Sequence, residues 1–255
     1  MQIQRFLERH TLSPRQADLQ LLQSVASAYS NLPYENITKI LKDARCSGSQ
    51  QKFRRTDEVF EDHLRWNTGG TCFSLCNALQ ELLTFCGFEA FIAMADMHYG
   101  TNIHCAVVVE MEKERYLLDP GYLLHQPLFL PANEIRIVTK MNTVVLKNEG
   151  PDLYSLFTKE NGMEKWRYRL RAYPVTREEF EQHWLHSFSL NSMENVTITR
   201  LSDSGRLYYR KDRIEVVQHD LRKKQKIESD DVQTLSQTFS LPSDLILQAQ
   251  QVLLR

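Results

Sequence analysis

Cys72, His104 and Asp119 are the side chains of this sequence whose types and settings could carry covalent chemistry. Cys72 follows Gly69, Gly70 and Thr71, and Leu75, Cys76, Leu79, Leu82, Leu83 and Cys86 then recur at helical spacing up to a stop at Gly87. With Thr71 as N-cap, the sulfur falls in the first helical turn, where unpaired backbone N–H groups and the positive end of the helix dipole stabilise a thiolate. An ordinary thiol has a pKa of about 8.5, and a helix N-terminus beside a histidine is a setting that lowers it. The same N–H groups could hold an oxyanion developing on a thioester or amide carbonyl. The double glycine lets the chain turn sharply and lets a substrate come close.

His104 opens an apolar run, Ile103 to Met111, and Asp119 closes the next one, Tyr116 to Leu118. A hairpin with a two-residue turn at Glu112 and Lys113 would place Asp119 opposite Ala106 and His104 opposite Gly121. His104 and Asp119 would then be diagonal neighbours on one face, with Cα atoms roughly 7 to 8 Å apart, within reach of a His–Asp hydrogen bond. A three-residue turn would put them on opposite faces. An Asp so placed would hold one imidazole tautomer and stabilise the imidazolium formed when the thiol loses its proton. Taken singly, each residue has a plainer reading. A lone Cys is usually buried, a lone strand His is usually core, and Asp before Pro-Gly usually starts a turn. The chemistry depends on their convergence.

Several elements must position these side chains. Ser13–Pro14 reads as a helix start, with Leu19, Leu21, Leu22, Val25 and Ala26 forming an apolar stripe up to Asn31 and Pro33. A second helix is predicted from Thr56 to Trp66, before the Cys72 helix. From Phe88 the period changes, and strands are predicted at 91–97, 103–111, 116–118, 135–139, 144–146 and 166–170. A helix over Arg177 to His186, two or three strands within 196–217, and a last helix capped by Ser243 complete the chain. The fold class is α+β, divided as 1–87, 88–175 and 176–255.

Of the 255 residues, 42% are hydrophobic, enough for a substantial core, and the net charge of -1 gives no electrostatic reason to expect nucleic acid or an anionic membrane as partner. A small-molecule partner is expected. The charged amino terminus has no signal-like apolar stretch, which points to a cytoplasmic protein. Five cysteines do not make a disulfide scaffold. Cys76, Cys86 and Cys105 lie among apolar neighbours and are assigned to the core. No CxxC pair supports a zinc site. The basic runs Arg222–Lys224 with Lys226, and Lys52 with Arg54 and Arg55, read as solvated faces.

Gly69-Gly70-Thr71-Cys72-Phe73 resembles the Gly-Gly-X-Cys-aromatic signature of arylamine N-acetyltransferases, Ile103-His104 their histidine motif, and Leu118-Asp119-Pro120-Gly121-Tyr122 their Asp-Val-Gly-Phe motif. Pro33-Tyr34-Glu35-Asn36 is similar to their Pro-Phe-Glu-Asn motif. The four appear in family order. The resemblance implies a helical bundle, a central antiparallel β-barrel and an α/β lid around a papain-like Cys-His-Asp triad. It implies ping-pong transfer in which Cys72 takes an acyl group, typically acetyl, from acyl-CoA as co-substrate and an arylamine or hydrazine then attacks the thioester. By the same match Tyr122, Phe73 and Tyr34 would contact substrate, and a monomer without permanent cofactor or metal is expected. Thr68 stands where the family usually has Arg, Ser74 where Glu is usual, Pro120 for Val, and Leu123 where Gly is common. A cysteine hydrolase or transglutaminase-like enzyme shares the triad order, and a non-catalytic relative could keep the fold; both stay open on the sequence.

Overall fold

A computed structural model describes residues 1–14, 16–139, 141–160, 162–203, 205–218, 221–228 and 231–254. Its first third is helical, as the apolar spacing predicts. Helices α1 (Gln2–Arg9) and α2 (Leu19–Tyr29) precede a two-residue strand, β1 (Tyr34–Glu35), and then come α3 (Ile37–Arg45), α4 (Ser49–Lys52), α5 (Thr56–Trp66) and α6 (Cys72–Phe85). Helix α2 does not start at Ser13–Pro14. Its N-cap is Asp18, whose carboxylate accepts from the Leu21 amide at 2.8 Å, so Pro14 stays outside. The sequence reading misses α1, α3 and α4, helices of 8, 9 and 4 residues too short to stand out, although Ile3, Phe6 and Leu7 in α1 and Ile37, Ile40 and Leu41 in α3 recur at helical spacing.

The middle of the chain forms β2 (Glu89–Met97), β3 (Gly100–Met111), β4 (Glu114–Leu118), β5 (Leu128–Phe129), β6 (Glu134–Val138), β7 (Thr143–Gly150), β8 (Leu153–Glu160) and β9 (Met163–Arg171). They make one antiparallel sheet in the order β5-β4-β3-β2-β9-β8-β7-β6, curled into a half-barrel whose edges, β5 and β6, do not pair with each other. The expected barrel is therefore open. Strand β8 escapes sequence reading because Ser155 and Thr158 are buried in it and blur the alternation of apolar and polar positions.

The last third holds α7 (Arg177–His186), β10 (Thr197–Ser202), β11 (Gly205–Arg210), β12 (Arg213–Gln218), β13 (Leu221–Lys226), α8 (Val232–Phe239) and α9 (Ser243–Leu253). The N-cap of α9 is Pro242, one residue before the expected Ser243. Three strands answer to the two or three expected within 196–217, β12 running one residue beyond to Gln218, and Ser204 lies outside the described residues. Strands β10 to β13 and β1 form a second sheet, in the order β1-β10-β11-β12-β13. The basic run 222–226 is its exposed edge strand β13, with Arg222 and Lys224 near Glu215 and Lys226 near Asp212, a charged edge that discourages further pairing.

Three apolar cores follow from these layers. On β3, Cys105, Val107 and Val109 face α2, α5 and α6, while Ala106 and Val108 face the inside of the curl. The third core packs α3, α8 and α9 on the second sheet. No helix among the described residues is long and apolar enough to cross a membrane.

Candidate active site

Cys72 is the first residue of α6, and what fixes it is the backbone on either side of β1. The Gly70 amide donates to Pro33 O at 3.3 Å and the Glu35 amide donates to Gly70 O at 3.0 Å, tying the loop before the cysteine to the Pro33–Asn36 segment. The approach is so close that a Cβ on Gly69 would lie 2.0 Å from Pro33 O. Arg54 braces the loop from below. Its Nη1 donates to Gly69 O at 2.5 Å and to Thr38 Oγ1 at 2.8 Å, and its Nη2 to Asp62 Oδ2 at 2.7 Å. Read from sequence as part of a solvated face, Arg54 is instead buried, because these three acceptors replace its water.

The β3–β4 hairpin has the two-residue turn on which the pairing of His104 and Asp119 depends. Glu112 and Lys113 both have positive φ, +52° and +71°, the geometry of a type I′ turn. Met111 faces Glu114 and Val107 faces Leu118. The ladder then stops. Asp119 leaves it to cap a short 3-10 turn, Pro120–Tyr122, its Oδ1 accepting from the Tyr122 amide at 3.0 Å. Its Oδ2 lies 2.8 Å from His104 Nε2. Gly121 is not paired with His104 across a ladder, yet the turn brings it there. A Cβ on Gly121 would sit 2.9 Å from His104 Cε1, 3.2 Å from Asp119 Oδ1 and 3.2 Å from Cys72 Cβ, so the three side chains meet around this glycine.

All three groups are buried, Asp119 completely. Burial pushes the His104 ring toward neutrality, but the charge and hydrogen bond of Asp119, together with the Cys72 sulfur, outweigh it and raise the imidazole well above its ordinary value. A hydrogen bond from the Cys105 thiol pulls Cys72 down, burial opposes, and the bond and charge of His104 with the charge of Lys39 leave Cys72 well below an ordinary thiol. The Asp119 bond at Nε2 leaves Nδ1 as the ring nitrogen for the sulfur. Helix α6 has no side-chain cap, so no side chain competes for the amides of its first turn.

Cys72 opens onto a cavity of about 420 Å³ lined by Tyr34, Lys39, Phe73, Tyr99, Ile103 and Arg210 among others. Of the three residues expected to contact substrate, Tyr34 and Phe73 line it, Phe73 also packing at a tilt against Phe180 and stacking on Trp184. Tyr122 does not line it; its ring packs edge-on against His104 at 5.5 Å. Sequence reading missed Tyr168 of β9, 4.8 Å from the His104 ring, whose phenol is held well above its ordinary pKa by burial and the Asp119 charge. It also missed the contact of Cys105 with Cys72. Cys105 is core, as assigned, and its thiol still reaches the Cys72 sulfur. Adjacency to His104 in the strand was the one available signal. No cluster of three or more metal-ligating side chains occurs among the described residues.

A family model described as N-acetyltransferase matches residues 18–249. The chain belongs to the arylamine N-acetyltransferase family. No curated protein matches its sequence. Its fold is similar to solved arylamine N-acetyltransferases, among them that of Mycobacterium abscessus, at a TM-score of 0.82 and 16% identity, covering 100% of this chain and 95% of that one. The Salmonella typhimurium protein gives 0.78 at 18% identity over 97% of both chains. A Bacillus cereus relative, described as having a unique Cys-His-Glu catalytic triad, gives 0.74 at 17% over 94% and 98%.

Within an arylamine N-acetyltransferase frame, and so within an acyltransferase, the departures of this chain can be read one by one. Pro120 occupies the first position of the 3-10 turn, where a missing N–H costs nothing. Leu123 takes a left-handed conformation at φ +53°, which explains why glycine suits that place. Ser74, in place of Glu, donates to Thr71 O at 3.1 Å and makes no capping box. Thr68 stands where an arginine is usual before the double glycine, and Arg54, just after α4, donates to Gly69 O.

Proposed function

We propose that Cys72, His104 and Asp119 act as nucleophile, base and orienting acid in a two-step acyl transfer. The Cys72 thiolate attacks the carbonyl of an acyl-CoA thioester, the bond to CoA sulfur breaks, and the departing thiolate takes its proton from His104. An arylamine or hydrazine then attacks the Cys72 thioester, His104 accepting the amine proton, and the amide leaves. The first amides of α6 are placed to receive the oxyanion of each tetrahedral intermediate. Asp119 holds the Nε2–H tautomer throughout. The observation that carries this reading is the 2.8 Å bond between His104 and Asp119 directly behind a sulfur that opens onto a cavity. Acyl-CoA serves as co-substrate with no resident cofactor, and the protein works in the cytoplasm.

Incubation with acetyl-CoA and other acyl-CoA thioesters tests it by intact mass. The expected result is a single acyl adduct, mapped to Cys72, that disappears on addition of an arylamine and is absent from Cys72→Ala. Failure of every CoA donor to label the protein contradicts the proposal. Release of amine from amide substrates without CoA would instead assign the same three residues to a cysteine hydrolase.

A further inference from the structure

Beyond the charge that helps to lower the Cys72 thiol, Lys39 has no task in the reaction just described. It lies on α3 at 5% exposure, yet lines the same cavity as Cys72. Its ammonium donates to Ser187 O at 2.8 Å and to Ser187 Oγ at 2.7 Å and rests over the Phe188 ring, 4.4 Å from its centre. It forms no ion pair among the described residues, and Asp43, one turn along α3, is 2.6 Å from Lys52. A buried ammonium without a carboxylate is expensive to keep. Burial accordingly lowers its pKa to about 8, where it still carries charge at neutrality.

Ser187 takes two of the three ammonium donors, which leaves one for a ligand. The rest of the lining agrees. Among the described residues that line it, the other cation is Arg210, exposed at the rim, and there is no Asp or Glu. The cavity therefore presents a positive field to whatever enters, with one cation at the surface and one deep beside the nucleophile. The bulky phosphates of a CoA donor can stay at the rim with Arg210. A group loaded on Cys72 shares the cavity with Lys39, and an acetyl group would leave that ammonium unmatched.

We propose that the group loaded on Cys72 is an acyl chain with a terminal carboxylate, a dicarboxylic acid half-thioester, whose free carboxylate pairs with Lys39. The inference rests on the acyl-transfer reading for the thioester, while the preference for an anion beside Cys72 stands on the cavity alone. Bond changes are those of ordinary transthioesterification. The sulfur–carbon bond to CoA breaks, one to Cys72 forms, the CoA thiolate is protonated from His104, and the distal carboxylate does not react.

Two pairs of probes test it on the full chain. Iodoacetate and iodoacetamide differ in charge and little in size, so the ratio of their rates at Cys72, relative to that ratio for a small free thiol, reads the field. Succinyl-CoA and acetyl-CoA read the acyl preference by intact mass. In the unaltered protein both ratios should favour the anion, Lys39→Met should lower each about tenfold or more, as expected for loss of a charge-assisted hydrogen bond, and Lys39→Arg should retain the preference. An iodoacetate ratio no higher than that of the small thiol overturns the proposal without any variant. Equal loading by the two donors with ratios unchanged in Lys39→Met overturns it while leaving acyl transfer intact. An anion preference without loading by either donor overturns acyl transfer and the proposed acyl group together. Lys39-dependent acceleration by carboxylated amines alone moves the subsite to the acceptor and also contradicts it.

Discussion

Helix α6 carries a buried cysteine at each end, and the two have opposite chemistry. Cys86, at the carboxyl end, has burial as the cause of its shift, and the thiol is pushed up to about 11. Cys72, at the amino end, is as deeply buried, yet it is held well below an ordinary thiol by Cys105, His104 and Lys39. Burial by itself thus silences a thiol. What lowers Cys72 is a set of partners delivered by two other segments, β3 and α3.

Removing members of that set should separate the two ends of the helix in order of effect. Cys72→Ala should lower acyl transfer roughly 10⁴-fold or more, whereas Cys86→Ala should leave the rate unchanged and cost about 1 kcal/mol in denaturant unfolding. Next comes Asp119→Asn, which keeps the shape but not the charge that fixes the tautomer. Its kcat/KM should fall roughly 10²- to 10⁴-fold, and the pH at which Cys72 alkylates should move up toward the ordinary thiol range. The sign for stability is also set. Because the folded His104 pKa lies above its unfolded value, its protonation stabilises the fold fully below about pH 6.5 and this fades as pH rises through the raised value. Asp119→Asn should weaken that dependence in pH-resolved unfolding.

Gly121→Ala sharpens the comparison without changing any ionisable group. Its methyl would press on His104 Cε1 at 2.9 Å, so kcat/KM should drop on the order of 10²-fold, with about 1 to 3 kcal/mol lost in stability. Leu123→Gly should have the smallest effect. It releases about 1 to 2 kcal/mol of left-handed strain but exposes a fully buried leucine position worth about 2 to 3 kcal/mol. Net destabilisation of about 1 kcal/mol in thermal unfolding is expected, with activity retained.

Much of this site is legible in the sequence because its key contacts are set by local rules. Thr71 starts a helix and Gly87 ends it, so Cys72 must lie in a first turn. A two-residue turn at Glu112–Lys113 fixes the register up to Val107–Leu118 and so brings Asp119 to the His104 strand, although the expected pairing of Asp119 with Ala106 does not form and Asp119 meets the ring from the turn that follows. The four motifs carried the α+β fold and its family. Contacts between distant segments were not legible. Nothing near Arg54 announces that it supports Gly69 O, since a run of basic residues looks the same whether solvated or saturated by buried acceptors. Lys39 sits on a short helix that the sequence reading missed, and Tyr168 is one aromatic in a strand of several. Their roles come from sheet curl and helix packing, which depend on the whole chain.

The most direct test is the pH dependence of iodoacetamide alkylation, read separately at Cys72 and Cys86 by peptide mapping. Cys72 should already react well below the ordinary thiol range and gain little rate as the pH rises through that range, while Cys86 should remain unmodified until the pH approaches about 11. If Cys72 instead gains rate about tenfold per pH unit up to the ordinary thiol value near 8.5, no partner is activating it, and the account of this helix end is wrong.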